Sequence, residues 1–350
     1  MIRIKDLALT PDDDMNRLVH LAARQLHIRE HEIIQLHIRK KSIDARKKHD
    51  IRIIYTVDVA IKEKEEKLLK RLRNPKLELA QEYTYIIPTC SPGKTRPVVI
   101  GFGPAGMFAA LVLAMAGLRP LVLERGQDVD TRHEKVEHFW RSGQLDPSCN
   151  VQFGEGGAGT FSDGKLNTGT RNPRIRWVLE QLADAGAGGE ILFDSKPHVG
   201  TDVLRHVVKN IREKIIALGG QVSFGSQVIG LTSQDGVLNG LSVKMNGSVT
   251  QIPCSQAILA IGHSARDTFE MLLDAGVSME QKPFSMGVRI EHKQAEIDTA
   301  QYGPSAGHHN LPAADYKLSV HLPDGGSAYT FCMCPGGYVV AAASEDGGVV

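Results

Sequence analysis

An apolar run leads directly into a glycine-rich turn in Arg96-Pro97-Val98-Val99-Ile100-Gly101-Phe102-Gly103-Pro104-Ala105-Gly106. Residues 98–100 predict a short buried strand, and residues 104–116 predict a helix that begins at the turn. A G-x-G-x-x-G turn between a strand and a helix is typical of dinucleotide-binding α/β folds. The first glycine permits the turn, the second admits a pyrophosphate to backbone N–H groups, and the third lets helix and strand pack closely.

An acidic residue follows the next apolar run. Glu124 comes directly after residues 120–123, at the spacing from Gly101 that this motif requires. A carboxylate there accepts hydrogen bonds from ribose hydroxyls and repels a 2′-phosphate, so the motif indicates FAD or NAD rather than NADP. The cofactor contacts predicted in this region are Gly101, Gly103, Pro104, Ala105, Gly106, Glu124 and Arg125.

A second concentration of glycine lies downstream, and we call residues 154–165 (GEGGAGTFSDGK) the glycine loop. The whole chain has 35 glycines among 350 residues, above the usual level of about 7%. Glycines among short polar side chains predict a loop whose main chain lies against a ligand, although a flexible surface loop would have the same composition. A third glycine, Gly262, ends the apolar strand predicted around residues 257–261.

The 21 uncharged residues 98–118 raise the possibility of a membrane span. Their helical part is only about 13 residues, which is too short to cross a bilayer. Residues 1–14 contain no apolar stretch typical of a secretory signal. The five cysteines form no C-x-x-C pair, so the sequence predicts neither a disulfide framework nor a zinc site. We therefore expect a cytoplasmic protein without a metal or a membrane partner.

Charge divides the chain into two parts. Residues 1–97 carry 21 lysines and arginines against 14 acidic residues, whereas the remainder carries 20 against 26. These parts have net charges of about +7 and −6, and breakers at residues 91–93 place a domain boundary near residue 92. Within residues 1–92 the predicted order β-α-β-β-α-β, with its last strand at 83–87, matches a ferredoxin-like α+β domain.

A basic turn, residues 39–48, separates the two middle strands of that domain. It carries six lysines and arginines and can contact phosphate in RNA, a cofactor or a partner. It contains no aromatic residue to stack on bases, which favours an ordinary solvated loop.

From residue 93 the pattern predicts a Rossmann-like α/β sheet with an antiparallel β insertion. Amphipathic helices are predicted at 172–185 and 201–218. The second is expected to have a Thr201 cap and to bury one face formed by Val203, Val207, Ile211 and Ile215. Further strands are predicted at 221–231, 238–245, 249–261 and 285–292. We expect residues 93–282 to form this domain and residues 283–350 to begin an inserted substrate, or cap, domain.

The turn and Glu124 resemble the fingerprint of the glutathione-reductase-like two-dinucleotide-binding flavoproteins. More narrowly, residues 150–166, 195–201, 262–269 and 331–337 resemble a bacterial family of uncharacterised FAD-dependent dehydrogenases, often labelled NAD(FAD)-utilising dehydrogenases. The resemblance covers essentially the whole chain. Members of this family look longer, so the resemblance implies that this chain is truncated at its carboxyl end.

The resemblance implies an FAD-dependent dehydrogenase in which flavin performs the hydride or electron transfer. It implies cofactor contacts for Gly156, Gly157, Thr160, Ser162, Lys165 and Gly262, and a main-chain adenine contact at Val228. Reduced NAD(P)H, if it is the electron donor, would bind transiently or in the inserted domain. Because only one G-x-G-x-x-G turn is present, no separate domain for that donor is expected.

The catalytic residues are left open by the sequence. His263 and Arg266, beside the predicted flavin-proximal Gly262, are candidates for an acid or an anion clamp. Cys332 and Cys334 are candidates too, but two cysteines on one strand face are poorly placed for an unstrained disulfide, and we expect them to pack in a core. Two alternatives to an oxidoreductase stay open, namely a flavin-assisted RNA-modifying or RNA-binding factor and a non-catalytic nucleotide-binding fragment.

Overall fold

The computed structural model describes residues 1–161, 164–166, 168–331 and 333–349. The amino-terminal part contains a four-stranded sheet and two helices. Along the chain these elements are β1 (Ile2–Leu9), α1 (Arg17–Leu26), β2 (Ile33–Asp44), β3 (Arg52–Ile61), α2 (Glu65–Leu72) and β4 (Leu77–Leu79). The strand order is β2-β3-β1-β4, and every neighbouring pair is antiparallel.

Helix α1 forms because its apolar residues recur on one face. Leu18, Ala22 and Leu26 are buried and pack on the sheet residues Ile4 and Val57. The helix ends at His27, whose φ is 53°, in the left-handed conformation common at helix ends.

Two predictions for this part need correction. Strand β2 continues to Asp44, well into the predicted basic turn, because residues 33–44 pair with β3. The strand predicted at 83–87 is wrong, since residues 80–97 contain no helix or strand and the fourth strand is β4. The alternation of Tyr83, Tyr85 and Ile87 lacks a pairing partner among the described residues.

The second part is built on a parallel sheet of four short strands, in the order β11-β5-β6-β7. Its strands are β5 (Val98–Ile100), β6 (Leu121–Leu123), β7 (Gln221–Ser223) and β11 (Ala257–Leu259). Its helices are α3 (Pro104–Met115), α4 (Val129–Ser142), α5 (Arg174–Leu182), α6 (Thr201–Ala217) and α7 (Arg266–Asp274). An apolar core joins α3 to α6 through Leu111, Val207 and Ile211.

Helix α6 has the predicted length but a different buried face. Leu204 and Val208 join Val207, Ile211 and Ile215 in the core, whereas Val203 is exposed. The cap position belongs to Gly200, and Thr201 is the first helical residue, so the predicted Thr201 cap is wrong.

A three-stranded antiparallel sheet is inserted between β7 and β11. It contains β8 (Ser226–Gln234), β9 (Val237–Met245) and β10 (Ser248–Pro253), in the order β10-β9-β8. The long strands predicted at 221–231 and 249–261 are each divided, at residues 224–225 and at residues 254–256, because the chain changes sheets there.

The remaining segment contains α8 (Gln294–Tyr302) and a hairpin of β12 (Ser319–His321) and β13 (Ser327–Tyr329). The strand predicted at 285–292 is not formed, and that stretch is exposed. Cys334 is also exposed, so its prediction as a core residue is wrong, while Cys332 lies outside the described residues. No helix in the described parts of the chain is long and apolar enough to cross a membrane.

The tip of the β2–β3 hairpin contacts both later parts of the chain. The Lys41 N–H donates to the Phe193 carbonyl at 2.7 Å, and the Ser195 N–H donates to the Lys41 carbonyl at 2.9 Å. Ile43 and Ile51 pack with Tyr302 in a small apolar cluster. The backbone of the basic turn therefore takes part in packing between segments.

Candidate functional site

The turn after β5 depends on two glycines for its own packing. Gly101 has a φ of 97°, which strongly favours glycine, and a Cβ built on Gly106 would lie 1.9 Å from the Gly101 carbonyl oxygen. Gly103 differs, because its φ is −72° and a Cβ there would meet only the Gly157 Cα, at 3.7 Å. No contact among the residues that the structure describes requires a glycine at 103. The backbone there is open to close approach by a ligand.

Helix α3 begins at this open position. Gly103 is the cap residue, Pro104 is the first helical residue, and both Pro104 and Ala105 are exposed. The first N–H groups of an α-helix have no partner within the helix, and they carry the positive end of its dipole. The start of α3 can therefore bind an anion such as a pyrophosphate.

Glu124 lies beneath the turn and ties it to the glycine loop. Its carboxylate is only 4% exposed and accepts three backbone hydrogen bonds, from the N–H groups of Phe102 at 2.7 Å, Gly126 at 2.8 Å and Gly154 at 2.9 Å. The ribose contact predicted for Glu124 can use only those acceptor positions of the carboxylate that these three hydrogen bonds leave free.

The glycine loop packs directly on the turn. The Gly156 N–H donates to the Phe102 carbonyl at 2.9 Å, and a Cβ on Gly157 would lie 2.9 Å from the Gly103 Cα. Gly154, Gly156 and Gly157 all have positive φ, so the loop backbone depends on glycine. Two stretches separated by 50 residues thus form one surface, as expected if both contact the same ligand.

The polar residues of the glycine loop differ in their contacts. Thr160 is buried, and its Oγ1 donates to the Glu155 carbonyl at 3.3 Å, so it supports the loop. Lys165 forms an isolated backbone bridge with His198. Ser162 lies outside the described residues.

A buried arginine supports the glycine loop from below, and the sequence reasoning missed it. The Arg132 side chain is fully buried in α4 and donates to the backbone carbonyls of Asn150 at 2.9 Å, Glu155 at 2.6 Å and Gly157 at 2.9 Å. Its guanidinium also lies 4.7 Å from the centre of the Phe161 ring. The available signal was the position of Arg132 on the same helical face as the buried Val129 and Val136.

Glu155 is the second residue that was missed. Its carboxylate is buried and accepts hydrogen bonds from the Val129 N–H at 2.7 Å and from Arg212 Nη1 at 3.0 Å. Burial raises the pKa of Glu155 to about 7, although these two donors act in the opposite direction.

Two further predicted cofactor contacts are Arg125 and Val228, of which Val228 is the predicted adenine contact. Arg125 pairs with Asp267 at 2.9 Å, donates to Thr268 Oγ1 at 2.7 Å and lies over the Phe153 ring at 4.4 Å. Val228 is buried in β8. The Arg125 guanidinium is thus held at the first turn of α7 by protein contacts.

The end of β11 adjoins residues 101–106, which we call the phosphate turn after its predicted role. The Ala260 N–H donates to the Ile100 carbonyl at 2.8 Å, and the Ala260 side chain faces Gly106. Gly262 has a φ of 71° and no neighbour within 4 Å of a built Cβ. His263 Nδ1 lies 2.9 Å from Ser264 Oγ on the exposed surface.

Two further catalytic candidates, Arg266 and Cys334, lie on the surface of the described part of the chain. Arg266 pairs with Glu345 at 3.1 Å, and both side chains are exposed. Cys334 lies in the exposed carboxy-terminal segment. Within the described ranges, no group of three or more His, Cys, Asp or Glu side chains is arranged to hold a metal ion.

Comparison with known proteins gives partial matches. Residues 283–350 match a family model described as FAD-dependent protein, C-terminal domain-like, and residues 1–60 match a domain of unknown function, DUF8436. An uncharacterized protein of Clostridium beijerinckii is 51% identical over 354 residues, a match that covers all of this chain and 65% of that protein. The chain therefore spans just under two thirds of that relative's length.

Solved structures match more weakly. Thermovibrio ammonificans THI4 is 17% identical over 53% of this chain and 64% of that chain, with a TM-score of 0.36. The 3-ketosteroid-Δ4-(5α)-dehydrogenase of Rhodococcus jostii is 18% identical over 51% of this chain and 49% of that chain, with a TM-score of 0.32.

Proposed function

We propose that this chain belongs to an FAD-dependent oxidoreductase. The observation that carries the proposal is the contact between the glycine loop and the phosphate turn, which leaves the backbone open at Gly103, where no described neighbour requires a glycine. The match of residues 283–350 to an FAD-dependent family model supports FAD over NAD as the resident cofactor. FAD, when bound, supplies hydride or electron transfer.

The chain's own residues bind and orient the cofactor in this proposal. The start of α3 and the backbone at Gly103 hold the pyrophosphate, and Glu124 faces the ribose. Gly156, Gly157 and Lys165 lie toward the flavin, with Thr160 supporting the loop, and the contact at Ser162 stays a prediction. Arg125 and Val228 border the adenine, and Gly262 adjoins the cofactor at the end of β11.

The domain assignment is part of the same proposal. Residues 1–92 form a ferredoxin-like domain, which the strand order β2-β3-β1-β4 supports. Residues 93–282 form the Rossmann-like FAD-binding domain, and residues 283–350 begin the substrate domain. We place the protein in the cytoplasm of a bacterium.

A small molecule is the proposed substrate, with NAD(P)H as a transient electron donor. His263 and Arg266, exposed near Gly262, are the proposed contacts for it. A nucleic-acid partner is less favoured, because Arg39 pairs with Asp58 and Glu82, and Arg46 pairs with Asp44. These pairs reduce the charge that the basic turn offers to phosphate.

Cofactor analysis tests the proposal directly. The protein is purified, any bound cofactor is released by denaturation and identified, and the apoprotein is titrated with FAD, NAD and NADP. We expect FAD to bind most tightly, and bound flavin to be reduced anaerobically by NADH or NADPH. Failure to bind FAD after reconstitution would refute the proposal. RNA binding that weakens steeply with added salt, and that is lost when the six basic residues of the basic turn are neutralised, would favour the nucleic-acid alternative.

A further inference from the structure

Arg132 contacts the backbone of a single stretch of chain. All three of its acceptors are carbonyls of residues 150–157, at 2.6–2.9 Å. Gly154 leaves room for the arginine, because a Cβ there would lie 2.4 Å from the Arg132 Cδ. The arginine and the start of the glycine loop are therefore fitted to each other.

One peptide unit links Arg132 to the phosphate turn. The carbonyl of Glu155 accepts a hydrogen bond from Arg132 Nη1 at 2.6 Å, while the N–H of the same unit, on Gly156, donates to the Phe102 carbonyl at 2.9 Å. A peptide unit is planar, so fixing its two opposite edges fixes its orientation. The second Nη1 bond holds the carbonyl of Gly157, the residue that packs on Gly103.

Space filling alone does not explain an arginine at this position. Among the residues described, Arg132 Nη2 is buried without a hydrogen-bond partner. Burial lowers the pKa of Arg132 to about 10, which reflects the cost of removing the charge from water. An apolar side chain of similar length would fill the volume without that cost.

We propose that Arg132 is a positioning residue, which holds the Glu155–Gly156 and Gly157 backbone against the phosphate turn and thereby sets the affinity for the dinucleotide without contacting it. The inference rests on the proposed function for the identity of the ligand. The loop geometry itself can be measured without any ligand.

The first measurement is amide hydrogen exchange in the ligand-free protein. We expect Arg132→Ala and Arg132→Lys to accelerate exchange at Gly156 and Gly157 by at least about 10-fold. The Glu155 and Gly157 carbonyls lose the guanidinium donor in both variants, so the backbone at residues 156–157 should open more often. Arg132→Lys retains the charge and serves if the alanine variant fails to fold, since one ammonium group cannot reproduce the planar fork of donors. Arg141→Ala, an exposed position on the same helix, is the matched control and should leave exchange unchanged.

The second measurement is FAD affinity, with chemical rescue. We expect the Kd for FAD to rise about 10- to 100-fold in Arg132→Ala, and low-millimolar guanidinium chloride to restore much of that loss. Ammonium chloride at the same concentration should not restore it, because it lacks the planar donor pair. A residue that only fills space would show no such selectivity.

The outcomes separate the two proposals. If folded Arg132→Ala shows wild-type exchange at residues 156–157 and wild-type FAD affinity, the inference is overturned. If the wild-type protein binds no FAD, the proposed function fails, and the exchange data alone decide whether Arg132 positions the loop. Faster exchange would then support that role, and unchanged exchange would refute it.

Discussion

The Glu155 carboxylate accepts a hydrogen bond from Arg212 Nη1 at 3.0 Å in the protein interior, where the Glu155 side chain has no exposed surface. Its second oxygen, Oε1, has no partner among the described residues. A buried carboxylate with one partnered and one unpartnered oxygen is only partly compensated for its loss of water. The protonation state of Glu155 therefore bears on the stability of the glycine loop.

The buried Glu155 carboxylate predicts a specific pH dependence of the free energy of unfolding. Burial raises the pKa of Glu155 from an ordinary 4.5 to about 7, so the folded state favours the protonated form. The corresponding stability is fully present below pH 4.5 and is lost as pH rises through 7, by about 3 kcal/mol in total. Denaturant unfolding from pH 5 to pH 8 should show most of this loss for the wild type and none of it for Glu155→Gln. Parallel profiles for the two proteins would contradict the prediction.

Gly157→Ala is expected to separate the glycine loop from the turn. Its φ of 61° and the 2.9 Å approach of a Cβ to the Gly103 Cα act together against any side chain. Gly247→Ala is the matched control, because its φ is 79° but nothing lies within 4 Å. We expect the control to lose about 1 kcal/mol of unfolding free energy and Gly157→Ala to lose about 1–3 kcal/mol more. Equal losses in thermal or denaturant unfolding would show that the contact is unimportant.

Gly103→Ala should weaken FAD binding and leave the fold intact. Its backbone has ordinary extended geometry and its added Cβ would make one ordinary contact, so the unfolding free energy should change by less than about 1 kcal/mol. FAD affinity, measured by fluorescence titration, should fall at least about 10-fold because the methyl group occupies the cofactor's approach. Unchanged affinity would place the cofactor elsewhere.

Glu124→Gln should weaken the junction between turn and loop. The carboxylate accepts bonds from three N–H groups, and the amide replaces one accepting oxygen with a donor. We expect a loss of about 1–3 kcal/mol in unfolding free energy, measured by denaturant titration. Glu134→Gln, on the exposed surface of α4, is the control and should change stability little. A Glu124→Gln protein as stable as this control would rule out the junction role.

Local patterns in the sequence were sufficient to predict the glycine turn, the helix that follows it and the order of most helices and strands. Gly101 and Gly106 signal a backbone that few other residues permit, and the residues of β5 and α3 carry their own periodicity. The strands predicted at 285–292 and 83–87 from alternating apolar and polar residues are wrong. Such alternation is compatible with a strand but does not show whether a pairing partner exists.

The sequence by itself determined that a strand, a glycine turn and a helix follow one another from residue 98, because that information lies within a few adjacent residues. Only the tertiary structure decided that Arg132 and Glu155 are buried beneath the glycine loop and that Gly157 rests on Gly103. Those contacts join residues 18 to 57 positions apart in the chain. Burial and hydrogen bonding at such separations depend on how the elements pack, which no local pattern records.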